Sequence, residues 1–285
     1  MENRNCRING FMRVINLQWL ILIAFLCFVL PVGAQIQKKG KGVELTTEVE
    51  NSAIIPVSKL EEDSYDYWDR HHEVLRIKDS INPEIVLIGN SITHFWGGEP
   101  KLKFADGRPR KPNGPTSWNS VFGHHRLLNL GFGWDRTQNV LWRIDQGQLD
   151  GIQPQLVVIH IGTNNTSETK NARKNTAVEI VEGIEAICNR VQNKLPQAKI
   201  VLMAIMPREE TAQHERRILI DQTNNLLKEY AKRNQITLLD IGPRMLTPGG
   251  VLTRDIAGDF CHPTDKGYQI WADALRPYVA EFVKK

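Results

Sequence analysis

Cysteine, net charge and long apolar runs are all scarce in this sequence, and each scarcity removes a class of answer. The 285 residues hold four cysteines, and two of them, Cys6 and Cys27, lie within the first 34. Cys188 and Cys261 alone cannot build a disulfide scaffold; one bridge or two free thiols both stay open. The formal charge of +4 drops to +2 when the first 34 residues, with three arginines and one glutamate, are set aside. A balance that mild, with no basic stripe interleaved with aromatics, gives no reason to expect a nucleic-acid partner. No apolar run approaches the roughly 18 residues of a membrane span. No internal repeat is visible. What remains, with 41% hydrophobic and 24% charged residues, has the balance of an ordinary soluble globular protein.

The N-terminus has an order of its own. Arg4, Arg7 and Arg13 precede an apolar stretch from Trp19 to Leu30, followed by the small-residue end Val32-Gly33-Ala34. Charged, apolar and then small is the order of a secretory signal peptide over 1–34, cleaved near Ala34, and a start at Met12 would keep it complete. The alternative is an uncleaved N-terminal anchor. From Gln35 the chain is polar and lacks a periodic apolar face, so a flexible leader is expected over 35–60, ahead of a folded domain over 61–285.

Within that domain a first helix is expected over 65–80. Short apolar runs at Ile85–Ile88, Leu127–Leu130, Leu156–Ile161, Ile200–Ile205 and Ile236–Leu239 then alternate with helical patterns at 136–144, 174–195, 213–233 and 265–283. Five strands alternating with helices predict an α/β fold, a three-layer α/β/α sandwich around a parallel sheet. Residues 97–117 break the rhythm with four glycines and four prolines. Loops of that length are usually functional or disordered.

Ligands of open parallel sheets bind beyond the carboxyl ends of the strands. Gly89-Asn90-Ser91 follows the first strand, where a serine can be a helix cap or a nucleophile on a sharp turn. Thr93 occupies the place of the second glycine in G-x-S-x-G, so the α/β-hydrolase elbow is not met. After the second strand, Gly131-Phe132-Gly133 starts a dinucleotide-like pattern that fails at Arg136. Gly162-Thr163-Asn164-Asn165 follows the third strand with two side-chain amides. Asp259-Phe260-Cys261-His262-Pro263 precedes the last helix, and Asp and His three apart on a turn can touch.

Together these four blocks resemble the SGNH, or GDSL-like, hydrolase superfamily over about residues 82–283. Gly131-Phe132-Gly133, Thr137 to Arg143 and Gly162 to Asn165 look most like its platelet-activating-factor acetylhydrolase-like and carbohydrate-acetylesterase-like branch. The resemblance implies an SGNH/flavodoxin-like fold, with Ser91 as nucleophile, His262 as general base and Asp259 as the group that orients it. It also implies an oxyanion hole of the Ser91 and Trp134 backbone N–H groups with Asn164, and no metal or cofactor. Two departures stand out. Asn90 replaces the usual aspartate, and Trp134 stands where relatives have glycine. A tryptophan does not easily take positive φ, and its bulk is expected near or over the pocket.

The remaining histidines and tryptophans have plainer readings. His71-His72 and His124-His125 are expected at the surface or in loops, and His160 in the core. His94, Trp96 and Trp134 are candidate substrate-binding residues, with Trp96 and Trp118 at the ends of the 97–117 excursion. Cys261 is expected to pack beside His262. The function expected is an exported serine esterase, periplasmic or extracellular, removing short acyl groups, above all acetyl, from a small ester or an acetylated carbohydrate. Alternatives are a lysophospholipase or short-chain lipid acylhydrolase, an O-acetyltransferase, or a catalytically silent carbohydrate-binding module. A complete triad speaks against the last.

Overall fold

The computed structural model describes residues 50–284. The expected signal peptide and the leader as far as residue 49 lie outside the described residues. The elements run α1 (Tyr67–Ile81), β1 (Ile85–Gly89), α2 (Ser91–His94), α3 (Pro115–Phe122), β2 (Leu127–Gly131), α4 (Thr137–Asp145), β3 (Leu156–His160), α5 (Ala177–Lys194), β4 (Lys199–Met203), α6 (Glu215–Arg233), β5 (Thr237–Leu239), α7 (Gly242–Met245) and α8 (Asp265–Phe282). The strands pair in the order β2-β1-β3-β4-β5, all parallel, with Gly89 opposite both Gly131 and His160. This is the flavodoxin-like order, which places a switch point between β1 and β3.

Strands covered on both faces read as continuous apolar runs rather than alternating ones, and β1, β2 and β3 are buried throughout. The two faces still sort their residues. Val86, Ile88, Leu128, Leu130, Val157 and Ile159 join a core with α4, α5 and α6. Ile85, Leu87, Leu127, Leu156, Val158 and Val201 join another with α3 and α8. Local signals set the helix ends. Thr176 and Glu179 form a reciprocal capping box at α5, and the Thr264 hydroxyl caps α8.

Two expectations need correction, and one open alternative is decided. Residues 50–60 are not a loose leader, because the chain there is fastened to the body. Asn51 Nδ2 donates to Glu182 at 2.6 Å, the Val57 N–H to Gln138 O at 3.2 Å, and Asn139 Nδ2 to Val57 O at 3.1 Å. Its partners lie 80 or more residues away in the chain, where no local pattern reveals them. His71 is not a surface residue. It is buried on the inner face of α1, bonded through Nδ1 to Gln148 Nε2 at 2.9 Å, and burial lowers its pKa to about 4. Cys188 and Cys261 are both free thiols.

Candidate active site

The site assembles at the carboxyl ends of β1, β2 and β3. The chain leaves β1 through Asn90, whose side chain caps α2 by accepting the Ile92 N–H at 3.0 Å. That places Ser91 at the first helical position, where no intrahelical acceptor exists for its own N–H. The Ser91 Oγ–H donates to His262 Nε2 at 2.8 Å, and the ring's Nδ1–H donates to Asp259 Oδ2 at 2.7 Å. Asp259 Oδ1 also accepts the backbone N–H groups of Cys261 (3.0 Å) and His262 (2.7 Å). Partial burial pushes the Asp259 pKa up. The hydrogen bonds from the His262 ring and the two backbone groups outweigh it and hold the carboxyl well below the usual carboxylate range. The turn carrying both residues is pinned from outside: the Glu209 N–H donates to Phe260 O at 2.7 Å, and both residues have left-handed φ, 65° and 59°.

The turn after β2 carries Trp134. The Asp135 N–H donates to Phe132 O at 3.2 Å, and Trp134 occupies the third position of this four-residue turn with φ 62°. That conformation favours glycine, the residue that the family resemblance leads one to expect there. The expectation that tryptophan avoids positive φ does not hold at this position. Trp134 is 40% exposed. Asn164, in the short 3-10 turn after β3, donates one Nδ2 hydrogen to Asp135 O at 3.0 Å and retains a second. The Ser91, Trp134 and Asn164 donors therefore belong to one connected set of turns.

What holds that set in place was not legible beforehand. Asp135 is buried and takes the guanidinium of Arg143 through Nε (2.8 Å) and a terminal nitrogen (2.7 Å). Burial pushes the Asp135 carboxyl up to about 7, against the opposing pull of Arg143 and Arg70. Arg143 also donates to Leu130 O, and Arg70 to Gly131 O, so two guanidinium groups brace the end of β2. From the N-terminal side, Tyr65 Oη donates to Gly133 O at 3.2 Å. Asp63 passes so close to Gly133 that a Cβ there would meet its carboxylate at 2.0 Å. Asn129 Nδ2 donates to Thr93 O and Gly97 O, fastening α2 and the chain after it to β2. An arginine in an amphipathic helix gives no sign of whether it faces water or a buried carboxylate, so the sequence could not reveal this layer.

Two candidate substrate contacts are corrected. His94 is buried, set edge-on to Tyr65 with ring centres 4.6 Å apart, and burial holds its pKa well below the ordinary histidine value. Three residues beyond Ser91, the short helix turns it inward. Trp96 has no exposed surface; it stacks on Trp271 at 4.4 Å and donates through Nε1 to Ser117 Oγ. His160 is a core residue, as expected, accepting the Met206 N–H at 3.3 Å. Burial pushes the Cys261 thiol up to about 11, which leaves it protonated and weakly nucleophilic beside the histidine. The 97–117 excursion reaches the rim as expected. The Asn113 N–H donates to Phe95 O at 2.8 Å, and Asn113 lines a hollow of about 370 Å³ with Asp259 and His262.

The GDSL-like Lipase/Acylhydrolase family matches residues 87–270, which run from within β1 into α8 and include Ser91, Trp134, Asn164, Asp259 and His262. The chain belongs to that family. This acylhydrolase is 31% identical over 238 residues to the platelet-activating factor acetylhydrolase IB subunit alpha2 of Homo sapiens, covering 82% of this chain and 93% of the relative. Among solved structures, a GDSL-like lipase from Bacteroides thetaiotaomicron superposes with a TM-score of 0.54 at 19% identity, covering 74% of this chain and 98% of that one. An acetyl xylan esterase does so with a TM-score of 0.54 at 17% identity, covering 68% and 98%. At those identities the structures establish the fold, while the family match and the acetylhydrolase relatives make the chain an ester hydrolase.

Proposed function

We propose that this acylhydrolase is an exported serine esterase that removes acetyl and other short acyl groups from carbohydrates by double displacement. The observation that carries the mechanism is the unbroken relay from Ser91 through His262 to Asp259. Ser91 Oγ attacks the acyl carbon while its proton passes to His262 Nε2, and Asp259 steadies the imidazolium that forms. The Ser91 and Trp134 N–H groups and the free Asn164 hydrogen are the donors for the oxyanion, each worth roughly 10²- to 10³-fold in rate. His262 returns the proton to the departing alcohol, leaving acyl-Ser91. Water then attacks with His262 again as base, releasing the acid and regenerating Ser91.

Short acyl groups are supported by the acetylhydrolase relatives and by the Trp134 ring beside the oxyanion turn, which limits the tail to about two to four carbons in this reading. Carbohydrate as the acceptor is supported by the exposed flat face of Trp134 and by the name of the acetyl xylan esterase with the same fold. Export is supported by the basic, apolar and small-residue order of 1–34. A second reading, an acetyl ester of a phospholipid, is favoured by the platelet-activating-factor relatives.

The test is a panel of acetylated oligosaccharides, short-chain phospholipids and p-nitrophenyl esters of rising length, assayed with the wild type and Ser91→Ala. Turnover of acetylated sugars that stops in the variant is the expected result. Phospholipid turnover without sugar turnover transfers the assignment to the second reading.

A further inference from the structure

A second feature of the 97–117 excursion lies one ring away from the general base. The excursion folds back on itself: the Arg110 N–H donates to Leu102 O at 3.0 Å, the Phe104 N–H to Arg108 O at 2.8 Å, and Lys103 faces Pro109 in an antiparallel bridge. This finger and the start of α3 enclose a groove of about 490 Å³. Trp118 forms one wall. Its ring lies so close over Gly98 that a Cβ there would meet it at 2.3 Å, and Trp96 braces it edge-to-face from below at 5.7 Å. Lys101, Lys103 and Arg110 line the same groove, and no carboxylate does among the described residues.

The three cations are not equivalent. Lys101 is paired with Glu99 at 2.9 Å and Lys103 with Glu73 at 2.8 Å. Arg110 is half-buried, and its guanidinium carbon sits over the Phe95 ring, 3.5 Å from its centre. Its guanidinium makes no side-chain hydrogen bond or ion pair among the described residues. The other buried or half-buried arginines (Arg70, Arg136, Arg143, Arg173, Arg190, Arg208, Arg216 and Arg217) all make them. Phe95 caps the nucleophile helix, with its N–H donated to Ser91 O, and its ring centre lies 5.6 Å from that of His262. Stacking uses the face of a guanidinium and leaves its edge, a fork of donors matched to a carboxylate, unsatisfied. The charge of Asp63 offsets part of the cost of half-burying this cation without bonding to it, and an anion at the open fork would complete the offset.

We propose that Arg110 and Trp118 form the subsite for the departing alcohol, and that this alcohol is an acidic sugar. Its carboxylate takes the Arg110 fork while a ring face lies on Trp118. The inference rests on the carbohydrate-ester reading above and narrows it to uronic-acid-containing saccharides. Arg110 acts as a specificity-determining residue and takes no part in the proton transfers.

The experiment compares kcat and KM of the full chain on an acetylated oligogalacturonide, a neutral acetylated xylo-oligosaccharide and the acetyl ester of glycerol 3-phosphate. Two charge-assisted bonds predict that Arg110→Ala lowers the acidic-over-neutral ratio of kcat/KM by about 10- to 100-fold, chiefly through KM. Arg110→Lys restores part of that ratio, and added salt lowers it in the wild type. An equal loss on acidic and neutral sugars would mean that Arg110 only braces Phe95, and would overturn the proposal. So would a preference for the phosphate ester, which would assign Arg110 to phosphate. If neutral sugars are turned over as well as acidic ones and Arg110→Ala leaves the ratio unchanged, the esterase reading stands and this inference falls. If no acetylated sugar is turned over while the phospholipid panel is, both fall.

Discussion

His262 Nε2 and Ser91 Oγ lie 2.8 Å apart although 171 residues separate them in the chain. Two groups that share one proton act as one unit, so their removal is not additive. Ser91→Ala and His262→Ala are each expected to lower kcat by on the order of 10⁴- to 10⁶-fold, with the double variant no worse than either single one. Asp259→Asn should lose no more than His262→Ala. Single-turnover assays of the purified variants, with circular dichroism to show retained fold, check this. A double variant showing the product of the two losses would separate the residues into different steps.

Trp134 offers a test of backbone strain. At φ 62° a side chain costs about 1 kcal/mol relative to glycine. Trp134→Gly should therefore be more stable than Trp134→Ala by about 1 kcal/mol, although alanine is the better residue in most other settings. Denaturant midpoints of the two variants measure the difference. The glycine variant should also accept longer acyl chains, seen as a flatter series across p-nitrophenyl esters.

The Asp135–Arg143 pair should behave as a buried ion pair with one indispensable geometry. Removing either partner leaves a charge without compensation, at a cost of about 3–5 kcal/mol. Arg143→Leu should lose that much stability and much of kcat, because the oxyanion turn hangs on Asp135. Asp135→Asn combined with Arg143→Leu should be more stable than Arg143→Leu alone. Urea unfolding of the three variants decides it.

Acid stability follows from His160. Its Nε2 must stay unprotonated to accept the Met206 N–H, and burial holds its pKa at about 4, below the unfolded value near ~6.5. Between these values the unfolded chain binds more protons than the folded one. This contribution, about 3 kcal/mol, is thus fully present above pH ~6.5 and disappears as pH falls towards 4. Unfolding free energies at several pH values should show the fall, and His160→Gln should flatten it. An unchanged slope would place the titrating groups elsewhere, with His71 the next to test.

How much of this was legible depended on the range over which each signal acts. β1, β2 and β3 were visible as apolar runs because a strand buried on both faces writes its environment into consecutive residues, and β4 and β5, though less buried, kept apolar runs of their own. Ser91 and Asn164 drew notice because they follow strand ends, where ligands of open sheets bind, and Asp259 and His262 because an Asp and a His three apart on a turn can touch. His94 and Trp96 were misread because proximity to Ser91 in sequence does not tell which way a short helix turns its side chains. Asn51, Tyr65 and Arg70 were missed for a different reason: their partners are backbone carbonyls and a carboxylate far along the chain, chosen by the fold, while Arg143 was missed because its partner Asp135, only eight residues away, lies across a turn whose burial the sequence does not show.

The strap that crosses the body before α1 bears on how the molecule comes into being. Synthesis delivers Asn51 and Tyr65 first, yet their partners Glu182 and Gly133 emerge 131 and 68 residues later. Ser91 waits longer still, for a histidine made just before the final helix. Closing such wide loops is slow compared with forming helices, so the earliest part of the chain is among the last to find its seat. A ribosome-bound fragment that stops short of residue 262 carries Ser91 without its hydrogen-bond partner His262. If this pair performs the chemistry, the hydrolase is inert until synthesis has passed residue 262.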